Sequence, residues 1–151
     1  MSYVVYTDGS CLGNPGAGGW AAVVIDRETG EVAEISGGAA RTTNNRMELT
    51  AAISALNALK IGSEIELFTD SQYLRNAFEK GWLRNWKLRG WVTANKTPVL
   101  NQDLWLALDE LMTSRAVKFN WVRGHDGDHF NERCDRLARE QASKHKTMRN
   151  A

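Results

Sequence analysis

Five stretches of the chain have the length and residue types of β-strands. Tyr3-Val4-Val5-Tyr6-Thr7 and Ile65-Glu66-Leu67-Phe68-Thr69 are rich in β-branched and aromatic residues, and each is followed by an aspartate and then Gly or Ser, residues that close a strand into a turn. Gly19 to Ile25 and Val32 to Gly37 predict two more strands, joined by the turn Asp26-Arg27-Glu28-Thr29-Gly30-Glu31 into an antiparallel meander with the first. Val117 to Val122 predicts a fifth. Between Asn44 and Leu59 the apolar positions Leu49, Ala52, Ile53, Leu56 and Leu59 recur at helical spacing, with Thr42 or Thr43 available as the amino-terminal cap. Further helices are predicted at Ser71 to Glu79, Leu83 to Leu88, Gln102 to Met112, and Glu132 to about Lys144.

The order βββαβαααβα implies an α/β fold. Its mixed five-stranded sheet would combine an antiparallel meander of three strands with two parallel strands, flanked by helices on both faces. Residues 1–151 read as a single domain, with a polar tail after about Lys144 that is expected to fray. A chain of 151 residues, 42% hydrophobic and 25% charged, can bury a core of its own without staples. Met1 to Thr7 has neither the basic region nor the apolar length of a signal peptide or membrane span, so a cytoplasmic protein with no membrane partner is expected. Cys11 and Cys134 lack zinc-site or redox-motif spacing, which predicts free thiols in a reducing compartment. Nothing suggests repeats or a coiled coil, and the chain is expected to be a monomer.

The chemistry suggested by the sequence is acidic. If the helix from Asn44 to Leu59 is a right-handed crossover, the first and fourth strands lie parallel and adjacent, and Asp8 and Asp70 share the edge where open α/β sheets place ligands. Glu48 falls in the first turns of that helix and Asp135 in the first turn of the last one. Alone, each acid could be a turn residue or a cap serving the helix dipole. Four carboxylates from four elements converging on one point would repel one another unless a cation neutralised them. Oxygen-only ligation, without thiolates or paired histidines, points to Mg²⁺ or Mn²⁺. His125, in the glycine-bordered loop Gly124 to Asn131, is the histidine best placed to exchange protons; His129 and His145 read as surface residues.

The net charge of +1 says little about partners, but its distribution is uneven. From residue 75 to 96 there are six cations, Arg75, Lys80, Arg84, Lys87, Arg89 and Lys96, against the single acid Glu79. Trp82, Trp86 and Trp91 are interleaved with them, a mixture suited to stacking and phosphate contact. The i, i+4 spacing of Trp82 and Trp86 is also that of a small aromatic core, so the tryptophans are expected mainly to pack and the cations mainly to face phosphate.

From about Tyr3 to about Ala142 the chain resembles bacterial ribonuclease HI. The resemblance rests on Thr7-Asp8-Gly9-Ser10-Cys11-Leu12-Gly13-Asn14-Pro15-Gly16, Thr42 to Leu49, Thr69-Asp70-Ser71-Gln72-Tyr73 and Asn131-Glu132-Arg133-Cys134-Asp135, in the family's order and approximate spacing. It implies a ribonuclease H-like fold and hydrolysis of the RNA strand of RNA/DNA hybrids by two metal ions, leaving 5′-phosphate and 3′-hydroxyl ends. It also implies that Asp8, Glu48, Asp70 and Asp135 bind the metals, with His125 as a mobile proton-transfer or product-release residue. By the same resemblance, Cys11 (through its backbone), Asn14, Asn44, Asn45 and Gln72 contact the RNA strand, and Arg41, Thr43 and Asn101 form a phosphate pocket for the DNA strand. The segment from Trp82 to Lys96, with Trp82, Arg84, Trp86, Lys87, Arg89 and Trp91, matches the family's basic protrusion.

Two departures change the expectation. Leu88, Val92, Thr97 and Leu100 stand where lysine is frequent, predicting weaker and less salt-sensitive hybrid binding. Asp126 and Asp128 add acids beside His125, which predicts an altered metal affinity or pH optimum. Two alternatives are a DNA-cutting nuclease of the same fold, against which the Thr42 to Leu49 motif argues, and a catalytically silent hybrid-binding module, against which the intact acids argue.

Overall fold

A computed structural model describes residues 1–123 and 129–150, the last four of these by their backbone alone. The elements are β1 (Ser2–Cys11), β2 (Gly16–Asp26), β3 (Val32–Thr42), α1 (Asn44–Asn57), β4 (Glu64–Thr69), α2 (Gln72–Glu79), α3 (Trp82–Leu88), α4 (Gln102–Thr113), β5 (Ala116–Trp121) and α5 (His129–Asn150). They form one five-stranded sheet in the order β3-β2-β1-β4-β5. The β1–β2 and β2–β3 pairs are antiparallel, and the β1–β4 and β4–β5 pairs are parallel. The α/β class, the meander and the parallel pair are those the hydrophobic pattern predicts.

One face of the sheet holds the main core. Val5, Ala22, Ile65 and Leu67 pack there with Leu49, Ala52, Ala55 and Leu56 of α1, and Leu74, Trp105 and Leu108 extend the cluster into α2 and α4. The alanines of α1 let its backbone approach the strands, while each fully buried leucine contributes about 2 kcal/mol. The other face is covered by α5, which buries Cys134, Ala138 and Ala142. A Cβ at Gly19 would collide with the Ala138 carbonyl oxygen, so α5 rests directly on β2 backbone. Neither cysteine is joined in a disulfide, and Cys134 Sγ donates to the Tyr6 carbonyl at 3.2 Å. Among the described residues no helix is long and apolar enough to cross a membrane.

The first three strands are longer than their apolar cores predict. β1 continues through Gly9-Ser10-Cys11, paired with Gly18 to Trp20. Asp8 therefore lies inside a strand, opposite Ala21, rather than in the turn expected after Thr7. What ends near Asp8 is only the ladder to β4, whose last pair is Tyr6 with Phe68. The last helix likewise begins at His129 and its backbone runs to Asn150, so Asp135 belongs to its second turn rather than its first. Of the two candidate caps of α1, Thr43 holds the position, its Oγ1 accepting from Arg46 N at 3.2 Å.

Candidate active site

Glycine sets the first contact of the site. A Cβ on Gly9 would lie 2.5 Å from Glu48 N, so the opening turn of α1 sits against β1 backbone and Glu48 comes beside Asp8. Asp70 follows directly on β4, where the chain is pinned by two side-chain bonds. Thr69 Oγ1 accepts from Ser71 N at 3.2 Å, and Ser71 Oγ caps α2 by accepting from Leu74 N at 3.1 Å. Carboxylate oxygens of Asp8, Glu48 and Asp70 consequently lie within 4.8 Å of one another. Asp135 lines the same cleft, of about 390 Å³, together with Asn44, Asn45 and Gln72.

This clustering is electrostatically unfavourable. Burial, then the negative charges of Asp70 and Asp135, push the Asp8 carboxyl up to about 8. Glu48 is raised well above the ordinary range, first by burial and then by Asp8 and Asp70. Glu48 Oε2 is buried without a hydrogen-bond partner among the described residues, an expensive condition for an acceptor. An orphaned carboxylate oxygen and two neighbouring carboxylates, with no sulfur or imidazole beside them among the described residues, fit a hard divalent cation. Asp8, Glu48 and Asp70 would hold it. Asp135 reaches Asp8 from α5 and adds to the rise of its carboxyl, while its own Oδ2 pairs with Arg139 Nη2 at 2.7 Å across one helical turn.

The residues expected to contact the cut strand gather around these acids. Asn14 Oδ1 accepts from Asn44 N at 3.2 Å, tying the loop after β1 to the start of α1. Cys11 Sγ faces the carbonyls of Gly13, Gly16 and Thr42, and burial raises its thiol pKa. Thr43 and Asn101, far apart in sequence, meet through Arg46, whose backbone N–H donates to Thr43 Oγ1 and whose Nη1 donates to Asn101 Oδ1 at 3.3 Å. Arg41 is exposed near the end of β3. His125 lies outside the described residues, as do Asp126 and Asp128.

The basic segment divides largely as its spacing suggests, although Arg75 pairs with Glu79 at 3.0 Å. Trp82, Trp86 and Trp91 are half-buried against the core, and Trp86 meets Trp105 edge-on with centroids 5.5 Å apart. Arg84 and Arg89 are exposed. Lys87, however, bonds Asp109 Oδ1 at 3.1 Å, so part of its charge is already compensated. Leu88 and Leu100 are 80% and 73% exposed, placing apolar side chains where the resemblance expects cations.

Two arginines emerge only from the structure. Arg139 had a faint signal, the i, i+4 spacing from Asp135. Arg46 had none: its fork onto Asp103, at 2.7 and 3.0 Å, joins α1 to α4 across a stretch of sequence that no periodicity connects.

The family model for RNase H matches residues 1–143. A ribonuclease H from Nitratidesulfovibrio vulgaris (strain DP4) is 59% identical over 140 residues, covering 93% of this chain and 88% of that protein. Among solved structures, LC9-RNase H1, a type 1 RNase H with the type 2 active-site motif, superposes with a TM-score of 0.82 at 31% identity, over 95% of this chain and 73% of that one. LC11-RNase H1, solved in complex with an RNA/DNA hybrid, gives 0.70 at 25% identity over 94% and 97%. Matching along nearly its whole described length, in fold and with its acids gathered at one end of the sheet, the chain belongs to the RNase H family.

Proposed function

We propose that the protein is an endonuclease that hydrolyses the RNA strand of RNA/DNA hybrids, using two Mg²⁺ ions, with Mn²⁺ able to replace them. The observation that carries this reading is the convergence of Asp8, Glu48 and Asp70 with one buried glutamate oxygen unpartnered. The hybrid-bound LC11 relative supports the choice of substrate. When bound, the metals supply Lewis acidity at the scissile phosphate, activating water and stabilising the leaving 3′-oxygen.

The chain's own residues do the positioning. Buried Asp8 and Glu48 carry charge that the fold disfavours, so the cleft binds a cation in preference to staying empty and ionised. Asp135 joins them as the fourth acid from its place beside Arg139. Asn14, Asn44, Asn45, Gln72 and the Cys11 backbone offer small polar groups that test for ribose 2′-hydroxyls. Arg41, Thr43 and Asn101, with Arg84, Lys87 and Arg89 on their tryptophan base, take the DNA strand. His125 helps proton transfer or product release. The whole chain acts as one domain and as a monomer in the cytoplasm, where its two thiols stay reduced.

The test is cleavage of a strand-labelled hybrid in Mg²⁺ beside duplex DNA, duplex RNA and single-stranded RNA. Cutting of the RNA strand of the hybrid alone, leaving 5′-phosphate ends and vanishing in EDTA, is expected. Cutting of duplex DNA, or binding without cutting, would overturn the assignment.

A further inference from the structure

Tyr73 lines the carboxylate cleft one residue beyond Gln72, its ring packed on Trp105 with centroids 5.5 Å apart. Its oxygen accepts from Trp105 Nε1 at 2.9 Å and from Asn101 Nδ2 at 3.1 Å. An indole N–H can only donate. The Asn101 amide is oriented just as firmly, because Arg46 Nη1 can only donate and so must face its carbonyl oxygen. Arg46 is in turn forked onto Asp103, and Asn101 holds a left-handed backbone with φ 60°.

Counting protons then leaves two unused. Both acceptor positions of the Tyr73 hydroxyl are occupied, so its own O–H points away from both partners, and among the described residues nothing accepts it. Asn101 Nδ2 spends one N–H on Tyr73 and keeps the other. Two donors 3.1 Å apart, beside a guanidinium and fixed by donor-only neighbours, suit one anionic oxygen.

We propose that Tyr73 is a substrate-binding residue, its hydroxyl donating jointly with the free Asn101 N–H to one non-bridging phosphate oxygen of the uncut strand. This rests on the hybrid reading above. In that reading Asn101 takes the DNA strand, so the donor pair that includes it serves the uncut strand at the border of the carboxylate cleft. Trp105 and Arg46 are positioning residues that aim the pair.

The experiment is equilibrium binding in the non-cutting Asp70→Asn background, with and without Tyr73→Phe, to hybrids carrying a single neutral methylphosphonate walked along the DNA strand. Tyr73→Phe keeps the ring on Trp105 and removes the hydroxyl. It should weaken binding to the unmodified hybrid about tenfold, as for a lost hydrogen bond to a charged group. At one methylphosphonate position the proteins with and without the hydroxyl should bind alike. Equal affinity for the unmodified hybrid overturns the proposal. Weakening by the same factor at every position also overturns it, since that is what a purely structural hydroxyl would give. A background protein that binds the hybrid no better than duplex DNA would sink the hybrid reading and the proposal together, whereas the first two results sink the proposal alone.

Discussion

At one end of the sheet, acids from β1, α1 and the link after β4 lie with oxygens within 4.8 Å of one another, two of the three residues buried. Along α3 and the loop after it, Arg84 and Arg89 stand out in solvent on a half-buried tryptophan base. The first region holds like charges together because backbone packs on backbone at Gly9, and it carries a repulsion that only a proton or a cation relieves. The second holds its cations apart, at little cost to the fold, and owes its shape to apolar packing beneath them. Chemistry is concentrated where the fold is electrostatically strained, and grip is displayed where it is relaxed.

Substitutions on either side test this contrast. Asp70→Asn removes one of the three clustered charges and should lower kcat about a thousandfold or more, roughly 4 kcal/mol, while hybrid binding by anisotropy persists. Wild-type cleavage in that variant would dissolve the site. Trp86→Ala should instead act on the fold, lowering stability by about 2–3 kcal/mol in urea unfolding through loss of its contact with Trp105 and the core. A negligible change would mean that α3 is held by something other than its aromatic base.

Asp8 offers a test of the strain itself. In the metal-free fold its carboxyl keeps a proton up to about 8, against 3.8 for the ordinary group. A raised pKa favours the fold fully below the unfolded value and loses that contribution as pH climbs through the folded one. Metal-free protein should therefore lose stability from about pH 4 to pH 8, and Asp8→Asn should melt several degrees, about 5 °C, above its parent at pH 8 with the gap closing towards pH 4. Thermal melts with EDTA across that range decide it, and a gap independent of pH would contradict the burial argument.

The smallest effect belongs to the grip. Arg84→Ala should weaken hybrid binding only a few-fold and reduce the salt slope by about one, whereas Leu88→Lys should strengthen binding and steepen the slope by a similar amount. Titrations at several salt concentrations separate the two. Unchanged slopes in both would remove this surface from the interface.

The sequence and the structure agree best where side chains alone carry the signal. Val5, Leu67, Leu49 and Leu56 announce their elements by periodicity, and the acids of the triad were recognisable because each follows or opens such an element. Agreement fails where glycine does the packing. Gly9 lies against α1 backbone and Gly19 against α5 backbone, so the strands that contain them continue without the apolar alternation that would announce them. That is why Asp8 reads as a turn residue and is a strand residue. The sequence pattern starts α5 too late for a related reason, since its first turn, His129 to Glu132, is largely polar and gives no stripe to count. The Arg46–Asp103 fork is a tertiary contact between exposed groups of separate helices, invisible to any local pattern.

The seat of Glu48 on Gly9 has a bearing on how such a protein can change over time. Because the spacing of that acid from Asp8 is fixed by main chain meeting main chain, the leucines and alanines of α1 can be exchanged for others of similar volume without retuning the catalytic distance. Durability of the fold and tuning of the reaction become separate traits, each open to alteration while the other is kept, whereas at Gly9 they cannot be uncoupled.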